Sequence, residues 1–148
     1  MAGKRGGLVH YLVTFSGAEE TGKVLSLAVH LAAANQARIT ILKVIADPHS
    51  VGIVAELIAT EEPFVIATEE LHQAVEKFVT DDIAITSVVW KAPEVGKGIV
   101  TATAELGADV VFVGTRDVSK QSGWFMENDP IAHYIVNHCP ANIMLVRD

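Results

Sequence analysis

A glycine-containing stretch near the start of the chain has residues that could bind phosphate. In FSGAEETGKV, residues 15–24, the residues Gly17, Gly22 and Lys23 have the G-x-x-x-x-G-K spacing of a P-loop and follow an apolar run. A P-loop surrounds phosphates with backbone N–H groups and a lysine, while a following serine or threonine hydroxyl reaches Mg²⁺. The spacing therefore raises the hypothesis of a nucleoside triphosphate site.

Three features of the same stretch argue against a P-loop. The residue after the lysine is Val24, which cannot bind a metal, and Glu19 and Glu20 would place negative charge beside a polyphosphate. Val24 also begins an apolar stripe at helical spacing, so Gly22 and Lys23 are predicted to lie inside a helix. We interpret the stretch as a strand-to-helix turn, in which the acidic residues complement the positive end of the helix dipole.

Two histidines and the single cysteine are the other candidates for chemistry. His133 and His138 are five residues apart, which does not put two imidazoles on one helix face, and no third ligand stands at a recognised spacing. Cys139 precedes a proline at a helix–strand junction, and we interpret it as a buried structural thiol. No serine–histidine–aspartate or paired-carboxylate arrangement supports a catalytic mechanism. The sequence therefore predicts no catalytic residue and no metal site.

Composition and charge limit the class of protein to which the chain can belong. The chain has 148 residues, half of them hydrophobic and a fifth charged, which predicts one globular domain over residues 1–148. The net charge of -7, with no basic cluster beyond Lys4 and Arg5, argues against nucleic-acid binding. The sequence has no membrane-length apolar run and no signal-peptide pattern, which predicts no membrane association. A lone cysteine is typical of a reducing compartment, so we expect a cytoplasmic protein.

Short apolar runs alternate with helical patterns along the chain. Each run is bounded by turn residues and rich in β-branched or aromatic side chains, as strands are. Alternating strands and helices predict an α/β fold: a single doubly wound domain with a five-stranded parallel sheet and helices on both faces. The predicted strands are 8–15, 38–45, 83–90, 109–114 and 142–146, and the predicted helices are 19–35, one through Leu71 and Val75 ending near 80–82, one after Pro93 capped by Gly107, and 130–137.

Two segments leave more than one interpretation open. Residues 49–68 could hold a helical turn or two at 51–59, which Pro63 would interrupt. Trp124, Phe125 and Met126 are large apolar residues inside a polar loop, and they could form a lid over a ligand or contact a partner. We favour packing of these three side chains against the domain itself.

The order of motifs over the whole length resembles the universal stress proteins. The segments that carry the resemblance are YLVTFSG (11–17), GADVVFVGTR (107–116) and HCPANIMLVR (138–147). The resemblance implies a strand order of 3-2-1-4-5, a homodimer formed through the last strand and, in one branch of the family, an ATP site. Such a site would lie where the carboxyl ends of strands 1 and 4 diverge, at residues 14–17 and 114–117.

The chain departs from the family's ATP-binding pattern of Gly, two residues, Gly, nine residues, Gly, then Ser or Thr. Gly114 is present, but the second glycine is replaced by Asp117 and the final pair by Glu127 and Asn128. The family's acidic residue after the first strand is Ser16 here. A side chain and a negative charge at Asp117 oppose close approach of phosphate, so we expect ATP binding to be weak or absent.

These observations select a set of candidate ligand-binding residues and two functions. The first function is a ligand-binding or signalling module of the universal stress type, with ATP as the candidate ligand and no metal. The alternative is a nucleotide hydrolase or phosphoryl-transfer enzyme, which the missing Mg²⁺ ligands and general base disfavour. The candidate residues are Phe15, Ser16, Val44, Gly114, Thr115, Arg116 and Asn128, with Arg116 expected to contact phosphate.

Overall fold

Strands and helices alternate along the part of the chain that the computed structural model describes, which is residues 9–15, 18–47, 62–76, 83–114 and 130–146. The strands are β1 (His10–Thr14), β2 (Arg38–Ala46), β3 (Ile85–Ala92), β4 (Val110–Gly114) and β5 (Asn142–Val146). The helices are α1 (Ala18–Asn35), α2 (Glu62–Glu76), α3 (Val95–Leu106) and α4 (Pro130–His138). The predicted α/β alternation is confirmed.

The five strands form one parallel sheet in the order β3-β2-β1-β4-β5, which confirms the expected 3-2-1-4-5 topology. β1 occupies the middle of the sheet and β5 one edge. The apolar run at 110–113 forms β4, which lies one strand away from the middle. It is nevertheless paired on both sides, since Val111 is in register with Leu12 of β1 and with Ile143 of β5.

Side chains alternate between two apolar cores, one on each face of the sheet. On one face, Tyr11 and Val13 of β1, together with the following Phe15, pack with α1 and α2. On the other face, Leu12 and residues of β2 and β4 pack with α3 and α4. Both faces of β1 are buried, which explains why Tyr11, Leu12 and Val13 form a continuous apolar run instead of alternating with polar residues. The doubly wound arrangement with helices on both faces is confirmed.

The bounds of β3 and the start of α2 differ in an informative way from the sequence prediction. β3 begins at Ile85 instead of residue 83 and continues to Ala92, because it pairs in register with β2 from Ile39 to Ala46. α2 begins at Glu62, so Pro63 lies in the first turn of this helix and does not interrupt one. Proline is tolerated there because first-turn N–H groups have no partner within the helix. Residues 51–59 lie outside the described residues.

The ends of the elements are fixed by backbone hydrogen bonds. Gly107 ends α3 in the left-handed conformation (φ 69°, ψ 35°), as predicted for its helix cap, and its N–H donates to the Ala104 carbonyl. At the amino ends of the strands, the His10 N–H donates to Asp109 Oδ2 and the Asp109 N–H donates to the His10 carbonyl, both at 2.8 Å. These bonds set the relative height of β1 and β4 and therefore the level at which both strands end.

Candidate functional site

The carboxyl ends of β1 and β4 meet where the chain diverges to opposite faces of the sheet. β1 leads into α1 on one face, whereas the chain after β4 reaches α4 on the other face. The two strands are adjacent, with Val13 in register with Phe112. The helices that follow the two strands lie on opposite faces, and ligands of doubly wound folds bind in the crevice at such a point.

Phe15 directly follows β1 and is held in a defined position beside β2. Its N–H donates to the Leu42 carbonyl at 2.8 Å, and its side chain is 7% exposed in the core formed with α1. The Nζ atom of Lys43 lies 5.3 Å from the centroid of the Phe15 ring, within the range of a cation–π contact. Phe15 therefore brings an aromatic ring and a neighbouring ammonium group to the strand end.

Val44 reaches the same end of the sheet but faces the opposite core. Its side chain is 8% exposed and packs with Ala92 and α3. A Cβ on Gly98 of α3 would lie 2.6 Å from Val44 Cγ1, so this helix approaches Val44 closely. The side chains of Phe15 and Val44 consequently do not converge. A ligand at the strand end would therefore meet the backbone of Val44 and not its buried side chain.

Gly114 lies close to α1 at the end of β4. A Cβ at this position would lie 3.0 Å from Val24 Cγ2 of α1, and the residue has no positive φ. The Val24 side chain would have to shift by a few tenths of an ångström to accept a Cβ here. This close approach is a structural reason for a small residue at the end of β4 that is independent of any ligand.

The resemblance of residues 17–23 to a P-loop does not extend to the structure. Gly22 lies inside α1, which begins at Ala18, and Lys23 is exposed on that helix. A P-loop needs these residues in a loop around the phosphates. The prediction that Gly22 and Lys23 lie inside a helix is therefore confirmed, whereas residues 16 and 17 lie outside the described residues.

Four of the candidate residues, Ser16, Thr115, Arg116 and Asn128, lie outside the described residues. The same holds for Trp124, Phe125 and Met126, and for the acidic side chains at 117, 127 and 129. The structure therefore brings together three members of the predicted set, Phe15, Val44 and Gly114, at one end of the sheet.

Sequence reasoning missed three charged residues at this end of the sheet. Lys43 lies within the apolar run of β2, and Lys91 and Asp47 form an ion pair of 3.1 Å between the ends of β3 and β2. The Lys91 side chain is only 9% exposed. A lysine inside an apolar strand could have indicated such a residue, because its ammonium group needs a partner or a path to solvent. The predicted third strand ends at residue 90, so the sequence did not predict that Lys91 would be buried in it.

His138 of α4 makes local contacts. The Nδ1–H of His138 donates to the Tyr134 carbonyl at 2.9 Å, and the two rings stack with centroids 4.1 Å apart. Within the residues that the structure describes, no three His, Cys, Asp or Glu side chains are grouped to hold a metal ion. Cys139 is a half-buried free thiol, less buried than expected. None of the described helices is long and apolar enough to cross a membrane.

A comparison with known families agrees with this fold. The model of the universal stress protein family matches residues 10–147, nearly the whole chain. The chain belongs to the universal stress protein family. Comparison of this universal stress protein with curated protein sequences gives no significant match.

Solved structures of universal stress proteins share the architecture. The universal stress protein UspA from Lactobacillus plantarum matches with a TM-score of 0.71 and 17% identity, covering 94% of this chain and 97% of that one. A universal stress protein from Archaeoglobus fulgidus in complex with dAMP matches with a TM-score of 0.67 and 12% identity, covering 94% and 97%. A universal stress protein in complex with cAMP matches with a TM-score of 0.59 and 19% identity, covering 93% and 95%. At these identities the comparisons establish the fold of this universal stress protein.

Proposed function

We propose that this universal stress protein is a ligand-binding or signalling module that binds an adenine nucleotide at the carboxyl ends of β1 and β4. The observation that carries the proposal is the sheet order, which makes these two strands neighbours while their outgoing chains part to opposite faces. Two proteins of the same fold are in complex with cAMP and with dAMP. Both of these ligands are adenine nucleotides with one phosphate.

The described residues suit the base end of such a ligand. Phe15 offers an aromatic edge at the end of β1, and the backbone after Val44 offers polar groups at the end of β2. Gly114 keeps the end of β4 free of a side chain. We assign the remaining contacts to Ser16, Thr115, Arg116 and Asn128 from the sequence, with Arg116 on the phosphate.

ATP should bind weakly because its phosphate chain would meet acidic residues. Asp117 replaces a glycine of the family's pattern, Glu127 replaces its last glycine, and Asp129 follows two residues later. A carboxylate about 4 Å from a phosphate costs on the order of 1–4 kcal/mol, depending on the local dielectric. Since each 1.4 kcal/mol is about tenfold in affinity, one contact moves a micromolar site towards millimolar.

Calorimetric titration with Mg-ATP tests this expectation. We expect a dissociation constant well above the low-micromolar range, and loss of the remaining binding in Arg116→Ala because that cation would pair with phosphate. AMP, which carries fewer negative charges into the acidic region, should bind at least as tightly as Mg-ATP. A low-micromolar constant for Mg-ATP would show that the acidic residues do not face the phosphates.

We also propose that the protein forms a homodimer through β5. This strand is at the sheet edge, and Met144 on it is 38% exposed. Unpaired edge strands with apolar side chains tend to pair, and two-fold symmetry is the default for soluble oligomers. The chain is further proposed to form one domain over residues 1–148 and, from its single cysteine, to work in the cytoplasm.

A lysine at position 144 should separate the dimer. Met144→Lys places a charge on the edge of β5, which opposes strand pairing, and light scattering at high micromolar concentration should then report a monomer. Val65→Lys is the matched control, because Val65 is 53% exposed on α2, which packs against β3 at the opposite edge. The control should remain a dimer. A monomeric wild-type protein, or a dimer that Met144→Lys leaves unchanged, would rule out this interface.

A further inference from the structure

We propose that Thr14 positions the two walls of the crevice, because its hydroxyl group joins β1 to β4 at the level where the crevice opens. Thr14 is the last residue of β1 and was not among the candidate residues that the sequence selected. This inference rests on the proposed function, since it concerns the same crevice. Thr14 acts on the ligand through the two strands, so it is a positioning residue.

The pairing of the strands shows where the crevice opens. β1 and β4 are paired as far as Val13 and Phe112. Beyond this level, Thr14 is still in register with Leu42 of β2, and β4 remains paired with β5 as far as Gly114. Within the described residues, each strand therefore keeps its outer neighbour after its pairing with the other has ended. The gap between β1 and β4 begins here, and this level is the floor of the crevice.

The Thr14 side chain spans the two strands at the floor. Its hydroxyl donates to the Phe112 carbonyl at 3.2 Å, and the residue is 6% exposed. Alternation along β1 places this side chain on the face that α3 and α4 cover, as for Leu12 two residues earlier. A buried polar group that loses its hydrogen bond costs more than the bond itself contributes to stability, so the bond holds β1 and β4 together at this level.

The two walls above the floor are held by different outer strands. The Phe15 N–H donates to the Leu42 carbonyl of β2 at 2.8 Å, whereas Gly114 is in register with Val146 of β5. The bond from the Thr14 hydroxyl crosses from one wall to the other and fixes their separation. A crevice with fixed walls binds a ligand without the entropy cost of ordering them, so loss of this bond should lower the affinity for the ligand.

Calorimetric titration of the full chain with AMP tests this role. Thr14→Val replaces the hydroxyl by a methyl group and should weaken binding about tenfold, whereas Thr14→Ser should stay within about twofold of the wild type. Thr103→Val is the matched control, because the Thr103 hydroxyl is also buried and donates to a backbone carbonyl, that of Ile99, at 2.7 Å. Thr103 lies in the last turn of α3, close to the amino end of β4, so this control should bind AMP as the wild type does.

The carbonyl carbon resonance of Phe112 gives a second readout, in the protein without ligand. A hydrogen-bonded carbonyl carbon resonates downfield, so the Phe112 signal should move upfield in Thr14→Val and return in Thr14→Ser. It should stay in place in Thr103→Val. Thr14→Ala puts no methyl group against the Phe112 carbonyl, and it replaces Thr14→Val in both measurements if that variant does not fold.

Three results would overturn the inference while the proposed function stands. The first is a Thr14→Val protein that binds AMP as tightly as the wild type. The second is a Thr14→Ser protein that binds as weakly as Thr14→Val, because the hydroxyl would then not be responsible. The third is an equal loss of affinity in Thr103→Val, which would assign the effect to stability in general. If the wild type does not bind AMP, the proposed function fails and this inference fails with it.

Discussion

Val111→Asp should abolish cooperative folding. The Val111 side chain is completely buried in the core between the sheet and helices α3 and α4, and its strand is paired on both sides. A carboxylate there has no described cation in its apolar core to pair with, and an unpaired buried charge costs several kcal/mol. Domains are typically stable by only about 5–15 kcal/mol, so the variant should lack a thermal transition in circular dichroism.

Val136→Asp is the control for this experiment. Val136 lies on α4, which packs on the same face of the sheet, but its side chain is 42% exposed. The same substitution at an exposed position should change the free energy of unfolding by less than about 1 kcal/mol. A soluble Val111→Asp protein with a cooperative transition near that of the wild type would contradict the position of β4 inside the sheet.

Gly98→Ala should destabilise the protein even though alanine favours helices. An added Cβ would lie 2.6 Å from Val44 Cγ1 and 2.9 Å from Ala92 Cβ, both in the buried core beneath α3. Overpacking of this kind typically costs about 1–3 kcal/mol, against a gain of about 1 kcal/mol in helix propensity. We expect a net loss of stability in denaturant unfolding, and a displaced Val44 at the candidate site.

Gly22→Ala is the matched comparison in α1. Among the described residues, no atom outside the adjoining backbone of α1 lies within 4 Å of a Cβ at Gly22, so no described neighbour opposes the same change. It should stabilise the protein by about 0.5–1 kcal/mol through helix propensity alone. Gly98→Ala that stabilises as much as Gly22→Ala would show that α3 does not pack closely on Val44. Loss of ligand binding in Gly22→Ala would instead revive a phosphate-binding role for residues 17–23.

Local sequence patterns predicted most of the elements but not all of their bounds. Apolar runs such as 110–113 identify strands because both faces of the sheet are covered. Gly107 was correctly predicted as a cap because few other residues adopt a positive φ at low cost. Pro63 was ambiguous, since proline both interrupts helices and begins them. The length of β3 depends on its pairing with β2, and a local sequence pattern carries no information about that pairing.

The ends of β1 and β4 were predicted, but the contacts that side chains make there were not. Motif order located the ends of β1 and β4, and the structure brings Phe15 and Gly114 to those ends. The pairing of neighbouring strands decides which side chains meet, so the contact of Lys43 with Phe15 and the pair of Lys91 with Asp47 could not be read from spacing. The close approach of α1 to Gly114 is likewise a tertiary effect.

Amide chemical shifts of the isotope-labelled protein, followed during titration with AMP, test the central claim most directly. The account predicts that the backbone amides of Phe15, Val44 and Gly114 shift together, saturably and with one dissociation constant. The amides of Arg38 and Asn142, at the amino ends of β2 and β5, should stay in place. Shifts that cluster at those amino ends, or no saturable shift up to millimolar AMP, would contradict a nucleotide site in the crevice between β1 and β4.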